Sequence, residues 1–143
     1  MQEITSKYIL QVAKIEKDTF GYEAWSEDNI KRELNNDKCV FRVLVEKDIV
    51  IGYYSFYKAD NEGYINNFAV SKDFRKRGYG SKILQDLITT AKSLNIYNIT
   101  LEVRESNVTA RKLYEKFGFV NYGNRPKFYK TEDAIIYWLK MED

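Results

Sequence analysis

The chain has no histidine, one cysteine and one proline in 143 residues. Each shortage closes off some chemistry. Without an imidazole, Cys39 cannot form a cysteine–histidine nucleophile. Zinc hydrolysis, which leans on histidine ligands, is disfavoured for the same reason, and no metal is expected. A lone cysteine forms no internal disulfide, which suits a reducing compartment, and Cys39 reads as a small buried residue. No apolar run reaches the roughly 18–20 residues of a membrane span, and the N-terminus lacks a signal-peptide pattern. The expected location is therefore the cytoplasm, away from membranes. An excess of one charge is also missing. The 23 basic and 21 acidic residues leave a net +2, which argues against direct nucleic-acid binding. What is present, 44% hydrophobic and 31% charged residues, suits a globular protein. The length predicts one domain, residues 1–143, able to bury a real core.

The stretch from Ile65 to Leu84 organises the rest. Tyr64 to Val70 is rich in aromatic and branched residues and reads as a buried strand. From Ser81 an amphipathic helix begins, with Ile83, Leu84, Leu87, Ile88 and Ala91 at helical spacing up to about Leu94. Between them lie Arg75, Lys76, Arg77, Gly78, Tyr79 and Gly80. A strand, a glycine turn and a helix start leave free backbone N–H groups that, with the helix dipole, favour an anion. The basic side chains add attraction for phosphate. A Walker A loop is absent, and the dinucleotide fingerprint fails because position 83 is Ile rather than Gly. What remains is Arg-x-x-Gly-x-Gly. It is either a basic surface turn or the site of a phosphorylated ligand.

The other elements follow in order. A short strand is predicted at Gln2 to Thr5. A helix capped by Ser6 runs to Phe20 and ends at Gly21. A second helix, Glu27 to Asn35, is capped by Ser26. Strands are predicted at Val40 to Glu46 and Ile49 to Lys58, with a turn at Lys47-Asp48 and a hairpin loop at Asp60 to Gly63. A strand at Ile99 to Val103 should pair in parallel after the crossover helix. A helix from Asn107 to Phe117 precedes Gly118. The last strands are predicted at Phe119 to Tyr122 and Ala134 to Leu139, joined by a long basic and aromatic loop, Gly123 to Asp133.

Among groups able to do chemistry, Glu102 stands out. Alternation sends Leu101 and Val103 to one face and Glu102 to the other, where it either meets a ligand or sits solvated or ion-paired. Arg104 is a candidate partner but is expected on the opposite face. Asn107 and Tyr114 lie two helical turns apart and share a face. Asn107 is either a helix cap or a contact for an amide-rich ligand. Tyr114 is either a core aromatic or a proton donor, since a phenol (pKa about 10) can protonate a departing thiolate (pKa about 8.5). Tyr22 and Trp25 form an aromatic turn that either staples two helices to the core or walls a substrate pocket.

Four segments together carry a resemblance. Asn67-Phe-Ala-Val70 precedes Arg75-Lys-Arg-Gly-Tyr-Gly80, then come Leu101-Glu-Val-Arg-Glu-Ser-Asn107 and Ala110-Arg-Lys-Leu-Tyr-Glu-Lys-Phe-Gly-Phe119. They resemble the GNAT superfamily of acetyl-CoA-dependent N-acetyltransferases, in particular its branch that acetylates ribosomal-protein N-terminal alanine. The resemblance implies a mixed α/β fold (α+β) whose central, mostly antiparallel sheet splays after Val70 and Val103. It implies that the backbone of Phe68, Ala69 and Val70, together with Asn107, holds the pantetheine arm of acetyl-CoA. The amides from Lys76 to Ser81, beside Arg75, would hold the pyrophosphate. Glu102 would act as general base, directly or through water, and Tyr114 as general acid. Tyr22, Trp25, Arg125 and Tyr129 would touch the acceptor, a protein N-terminus. Three departures leave acceptor preference open. Ala24 stands where the branch has proline, Phe128 replaces the first of two paired tyrosines, and a glycine before Glu132 is missing. A lysine side chain or a small amine as acceptor, and a silent acetyl-CoA-binding module, stay as alternatives.

Overall fold

The computed structural model describes residues 1–142. Strand β1 (Gln2–Glu3) leads through a 3-10 turn at Ser6–Tyr8 into helix α1 (Ile9–Phe20). Ser6 therefore lies inside that turn and caps nothing. Helix α1 stops at Gly21, whose φ of 61° lets the chain turn away. Helix α2 (Glu27–Leu34) starts at a reciprocal cap: the Ser26 hydroxyl accepts from the Asn29 N–H, and the Asn29 side chain accepts from the Ser26 N–H.

Strands β2 (Cys39–Glu46), β3 (Ile49–Ala59) and β4 (Glu62–Val70) form an antiparallel meander. The β2–β3 hairpin turns at Lys47 and Asp48 with φ of 50° and 63°, the mirror-image turn that matches strand twist. Cys39 heads β2 half-buried rather than buried. Helix α3 (Tyr79–Ser93) begins two residues before the predicted Ser81, because Gly78 in the left-handed region serves as its N-cap. Strand β5 (Asn98–Arg104), helix α4 (Val108–Lys116), and strands β6 (Val120–Tyr129) and β7 (Glu132–Lys140) complete the chain.

The predicted loop from Gly123 to Asp133 is mostly strand. Strands β6 and β7 extend to a turn at Lys130-Thr131, and the register slips near Gly123 and again between Arg125 and Tyr129. The reason is burial. Strand β6 is an edge strand, exposed along nearly its whole length, so no apolar alternation marks it. Pro126, which cannot donate to a ladder, sits within the second slip. The Asp133 carboxylate spans that slip, accepting from the Lys127 N–H at 2.8 Å and the Asn124 amide at 2.9 Å.

The seven strands form one sheet in the order β1-β2-β3-β4-β5-β7-β6. Every neighbouring pair is antiparallel except β4–β5, which is parallel and joined only from Glu62↔Asn98 to Tyr64↔Thr100. Beyond that point the two strands part. One face of the sheet buries α3 and Tyr114 of α4, with Ile83, Leu84 and Leu87 against Ile51 and Tyr54. The other face, over β2 to β4, buries α1 and α2 through Val12 and Ile30. No described helix is long and apolar enough to cross a membrane.

Candidate active site

Where β4 and β5 part, a cleft of about 220 Å³ opens. Its β4 wall is built by an irregularity. Ser55 faces Asn67 and Phe56 faces Ile65, so Asn66 is an extra residue in the ladder. The extra residue reverses the alternation. Ile65 joins the α3 side of the sheet, while Asn67 turns to the α1 side. Asn66, at the slip, lines the cleft, and its Nδ2 is buried with no hydrogen-bond partner among the described residues.

The β5 wall carries Glu102. Its side chain is 7% exposed. Oε1 accepts from the Tyr64 hydroxyl at 3.2 Å and lies 3.5 Å from the Arg125 guanidinium. Oε2 is buried and has no partner among the described residues. Burial, helped by the nearby Glu102 charge, pushes the Tyr64 and Tyr129 phenols up to about 12.

Arg104 departs from expectation. Positions two apart on a strand share a face, so Arg104 lines the cleft beside Glu102 instead of opposing it. It does not pair with Glu102. Its guanidinium binds Glu23 and, at 3.2 Å, Glu132, and it lies 4.5 Å from the centre of the Tyr129 ring. The Tyr129 hydroxyl donates to the Glu102 carbonyl at 3.2 Å.

Helix α4 presents Asn107 and Tyr114 to the same cleft. Asn107 is the N-cap, its side-chain oxygen accepting from the Ala110 N–H at 3.2 Å. The Tyr114 ring is buried among Phe68, Phe119 and Tyr137. Its hydroxyl makes no hydrogen bond to another described residue, and burial raises its pKa, so it stays a neutral O–H donor.

The opposite wall comes from the α1–α2 segment. Trp25 packs 6.4 Å from Phe41 and also lines the cleft. Tyr22 is 72% exposed, outside the lining, with the Lys130 ammonium 5.5 Å from its ring. Arg125 reaches the site only through Glu102. The structure thus brings together Glu102, Tyr114, Asn107, Phe68, Trp25 and Tyr129, and leaves Tyr22 outside.

Glu16 of α1 was not legible as a site residue. It is 1% exposed and lines the cleft. Its carboxylate accepts from the Tyr53 hydroxyl, the Asn67 amide and the Trp25 N–H, the last two at 3.0 Å. Burial raises its pKa, and these three bonds oppose the rise. A signal for it existed. Ile9, Val12 and Glu16 share one helical face, so a charge interrupts an apolar stripe.

About the turn at Arg75 to Ser81, the structure separates the roles of its residues. The Arg75 guanidinium is engaged by the Val70 carbonyl at 3.0 Å and Thr19 at 3.3 Å, so it anchors the turn. Lys76 has φ of 64° and Gly78 of 83°. No side chain caps α3, and its first internal bond runs from the Lys82 N–H to the Gly78 carbonyl. The N–H groups of Tyr79, Gly80 and Ser81 are thereby left without helical acceptors, a setting that favours an anion. Gly80 has a packing role, since a Cβ there would stand 3.2 Å from Leu113 of α4. Ala69 and Val70 complete β4 opposite Tyr53 and Gly52, and Lys76 and Arg77 stay exposed.

Comparison with known proteins bears on this arrangement. The acetyltransferase (GNAT) family model matches residues 9–119. The chain is similar to a [ribosomal protein bS18]-alanine N-acetyltransferase from Haemophilus ducreyi, 32% identical over 112 residues, covering 77% of this chain and 75% of that one. Its fold is similar to the crystal structure of the ribosomal-protein-S18-alanine N-acetyltransferase from Escherichia coli, with a TM-score of 0.90 and 25% identity over 99% of this chain and 93% of that one. A Bacillus anthracis protein solved in complex with acetyl coenzyme A is 30% identical, with a TM-score of 0.69, over 78% of this chain and 68% of that one.

Proposed function

This chain belongs to the acetyltransferase (GNAT) family and is an acetyl-CoA-dependent N-acetyltransferase, and we propose that its acceptor is the α-amine at a protein N-terminus. The target we infer is the N-terminal alanine of a small-subunit ribosomal protein, the substrate that the relatives' names carry. One observation carries the reading. A buried carboxylate, with one oxygen free of partners, shares a cleft with a buried neutral phenol at the place where the sheet opens.

The residues present fit the cosubstrate. The uncapped start of α3 offers the N–H groups of Tyr79, Gly80 and Ser81 to a pyrophosphate, with Lys76 and Arg77 adding charge. The parted edge of β4 at Phe68, Ala69 and Val70, and the Asn107 amide, would hold the pantetheine arm. When bound, acetyl-CoA supplies an activated acyl thioester. Glu102 Oε2 takes the proton from the attacking amine, directly or through water. The Tyr114 hydroxyl gives a proton to the departing sulfur. The new bond is N–C and the broken one is C–S. One proton passes in net from amine to thiolate once Glu102 has released its proton to solvent and Tyr114 has taken one back. An α-amine has a pKa of about 7.7–8.0, so a weak base suffices. Holding the two reactants in line supplies much of the acceleration.

The test offers the enzyme acetyl-CoA and two peptides. One has a free N-terminal alanine. The other is blocked at its N-terminus and carries an internal lysine. Mass spectrometry is expected to find acetyl only on the first. Acetyl only on the second would replace the reading with lysine acetylation.

A further inference from the structure

The mechanism uses one of the two buried polar atoms that lack partners in the cleft, Glu102 Oε2, and leaves the other, Asn66 Nδ2, without a role. The pair is chemically complementary: one acceptor and one donor. A buried polar group left unmatched costs about 1–3 kcal/mol, so a native fold that keeps two in one cleft calls for an account. Asn66 is not held there by chance packing. It is the extra residue of the β4 irregularity, and that slip is what sets it at the cleft while Ile65 and Asn67 turn to opposite sides. The neighbouring Asn67 is fully engaged with Glu16 and Ser55, so the slip gives one asparagine to the scaffold and one to the cleft.

The geometry points to Asn66 as the residue that binds the first backbone carbonyl of the acceptor polypeptide, and so as the residue that selects an α-amine over a side-chain amine. The inference rests on the N-terminal acceptor proposed above. A chain terminus carries an amine N–H and, two bonds from the nitrogen-bearing carbon, a carbonyl oxygen. The amine meets Glu102 Oε2 and the carbonyl accepts from Asn66 Nδ2, so one short group satisfies both atoms. A lysine ε-amine has only methylenes at that distance. It can satisfy Glu102 and leaves Asn66 unmatched. A site built to hydrogen-bond a substrate group discriminates against analogues that lack it, because its own buried group is then stranded.

The test uses three acceptors: an alanine-initiated peptide, the same peptide with its first amide replaced by a trans-alkene isostere, and an N-blocked peptide with an internal lysine. Wild type is expected to lose about tenfold in kcat/KM on passing from the amide to the alkene peptide, the size of one matched buried hydrogen bond. Asn66→Leu, which keeps volume and removes the donor, is expected to lose about tenfold on the amide peptide and to treat both peptides alike. Its KM for acetyl-CoA is expected to match wild type, and its melting temperature to equal or exceed it, since an unmatched buried donor is removed. An equal loss on all acceptors, as a donor to the thioester would give, overturns the inference. So does amide-peptide kcat/KM within twofold of wild type. Wild-type acetylation of the lysine peptide alone overturns the N-terminal reading itself and the inference with it, and it is recognised in the wild-type arm before any variant is read.

Discussion

Two carboxylates face the same cleft in different surroundings, and the difference assigns their work. Glu16 has both oxygens taken, by Tyr53, Asn67 and the Trp25 N–H. Glu102 keeps one oxygen free. Glu102→Gln is therefore expected to lower kcat by about 10²-fold, at the low end for general-base loss, with acetyl-CoA KM and melting temperature unchanged. Glu16→Gln sets an amide N–H₂ against donors and is expected to cost about 1–3 kcal/mol of stability in urea unfolding. If instead Glu16→Gln abolished turnover in a fully stable protein, the two roles would have to be exchanged. The phenols set the pH profile. Tyr64 and Tyr129 are pushed up to about 12, and Tyr114 is raised as well. All three stay protonated through pH 10, while the acceptor amine loses its proton near 7.7–8.0. On the alkaline side, kcat/KM is expected to rise through pH 8 and hold level to pH 10. A fall between pH 9 and 10, with circular dichroism unchanged, would show that a group other than these phenols limits the rate.

At the scale of elements, caps and glycines decide where segments begin. Ser26→Ala removes one half of a reciprocal cap and is expected to cost about 1 kcal/mol in thermal or urea unfolding. Gly52→Ala should cost more, about 1–3 kcal/mol, because its Cβ would stand 2.5 Å from Ile83 and 2.7 Å from the Ala69 carbonyl, where β4 backbone and α3 both hem it in. A melting temperature equal to wild type for Gly52→Ala would mean that β3 and β4 yield more easily than their packing shows. Elements with an apolar period were legible in the sequence. All five apolar positions assigned to α3 are buried, and the α2 cap and the Gly21 stop stand where their residues put them. Two features were not legible. The β4 slip leaves no mark in composition, yet it decides which asparagine reaches the cleft. The β6 edge has no buried side to impose a period. The face of Arg104, by contrast, is legible: alternation alone places it with Glu102, against the expectation of the opposite face.

For the whole molecule, the open cleft raises a mechanical question. The β4–β5 ladder that joins the two halves of the sheet ends at Tyr64 and Thr100. Past it, the α1–α2 segment stands on one side and the β6–β7 hairpin on the other. Arg104 connects them. It is bonded to Glu23 of the first and Glu132 of the second, with Tyr129 against its guanidinium. Glu132 is fixed in turn by the Ser106 N–H at 2.9 Å and hydroxyl at 3.0 Å, which, together with Arg104, hold its pKa below the usual carboxylate range. Glu132 therefore keeps its charge at neutral pH and loses it only as pH falls through that lowered value. Arg104→Met keeps the length of the side chain and removes both ion pairs. It is expected to raise peptide KM several-fold and to speed amide exchange in β6 and β7, with acetyl-CoA KM unchanged, because none of the bonds of the clamp involves the N–H groups of Tyr79 to Ser81. A rise in acetyl-CoA KM of equal size would show that the two halves move as one body and that Arg104 braces the whole opening rather than the acceptor side alone.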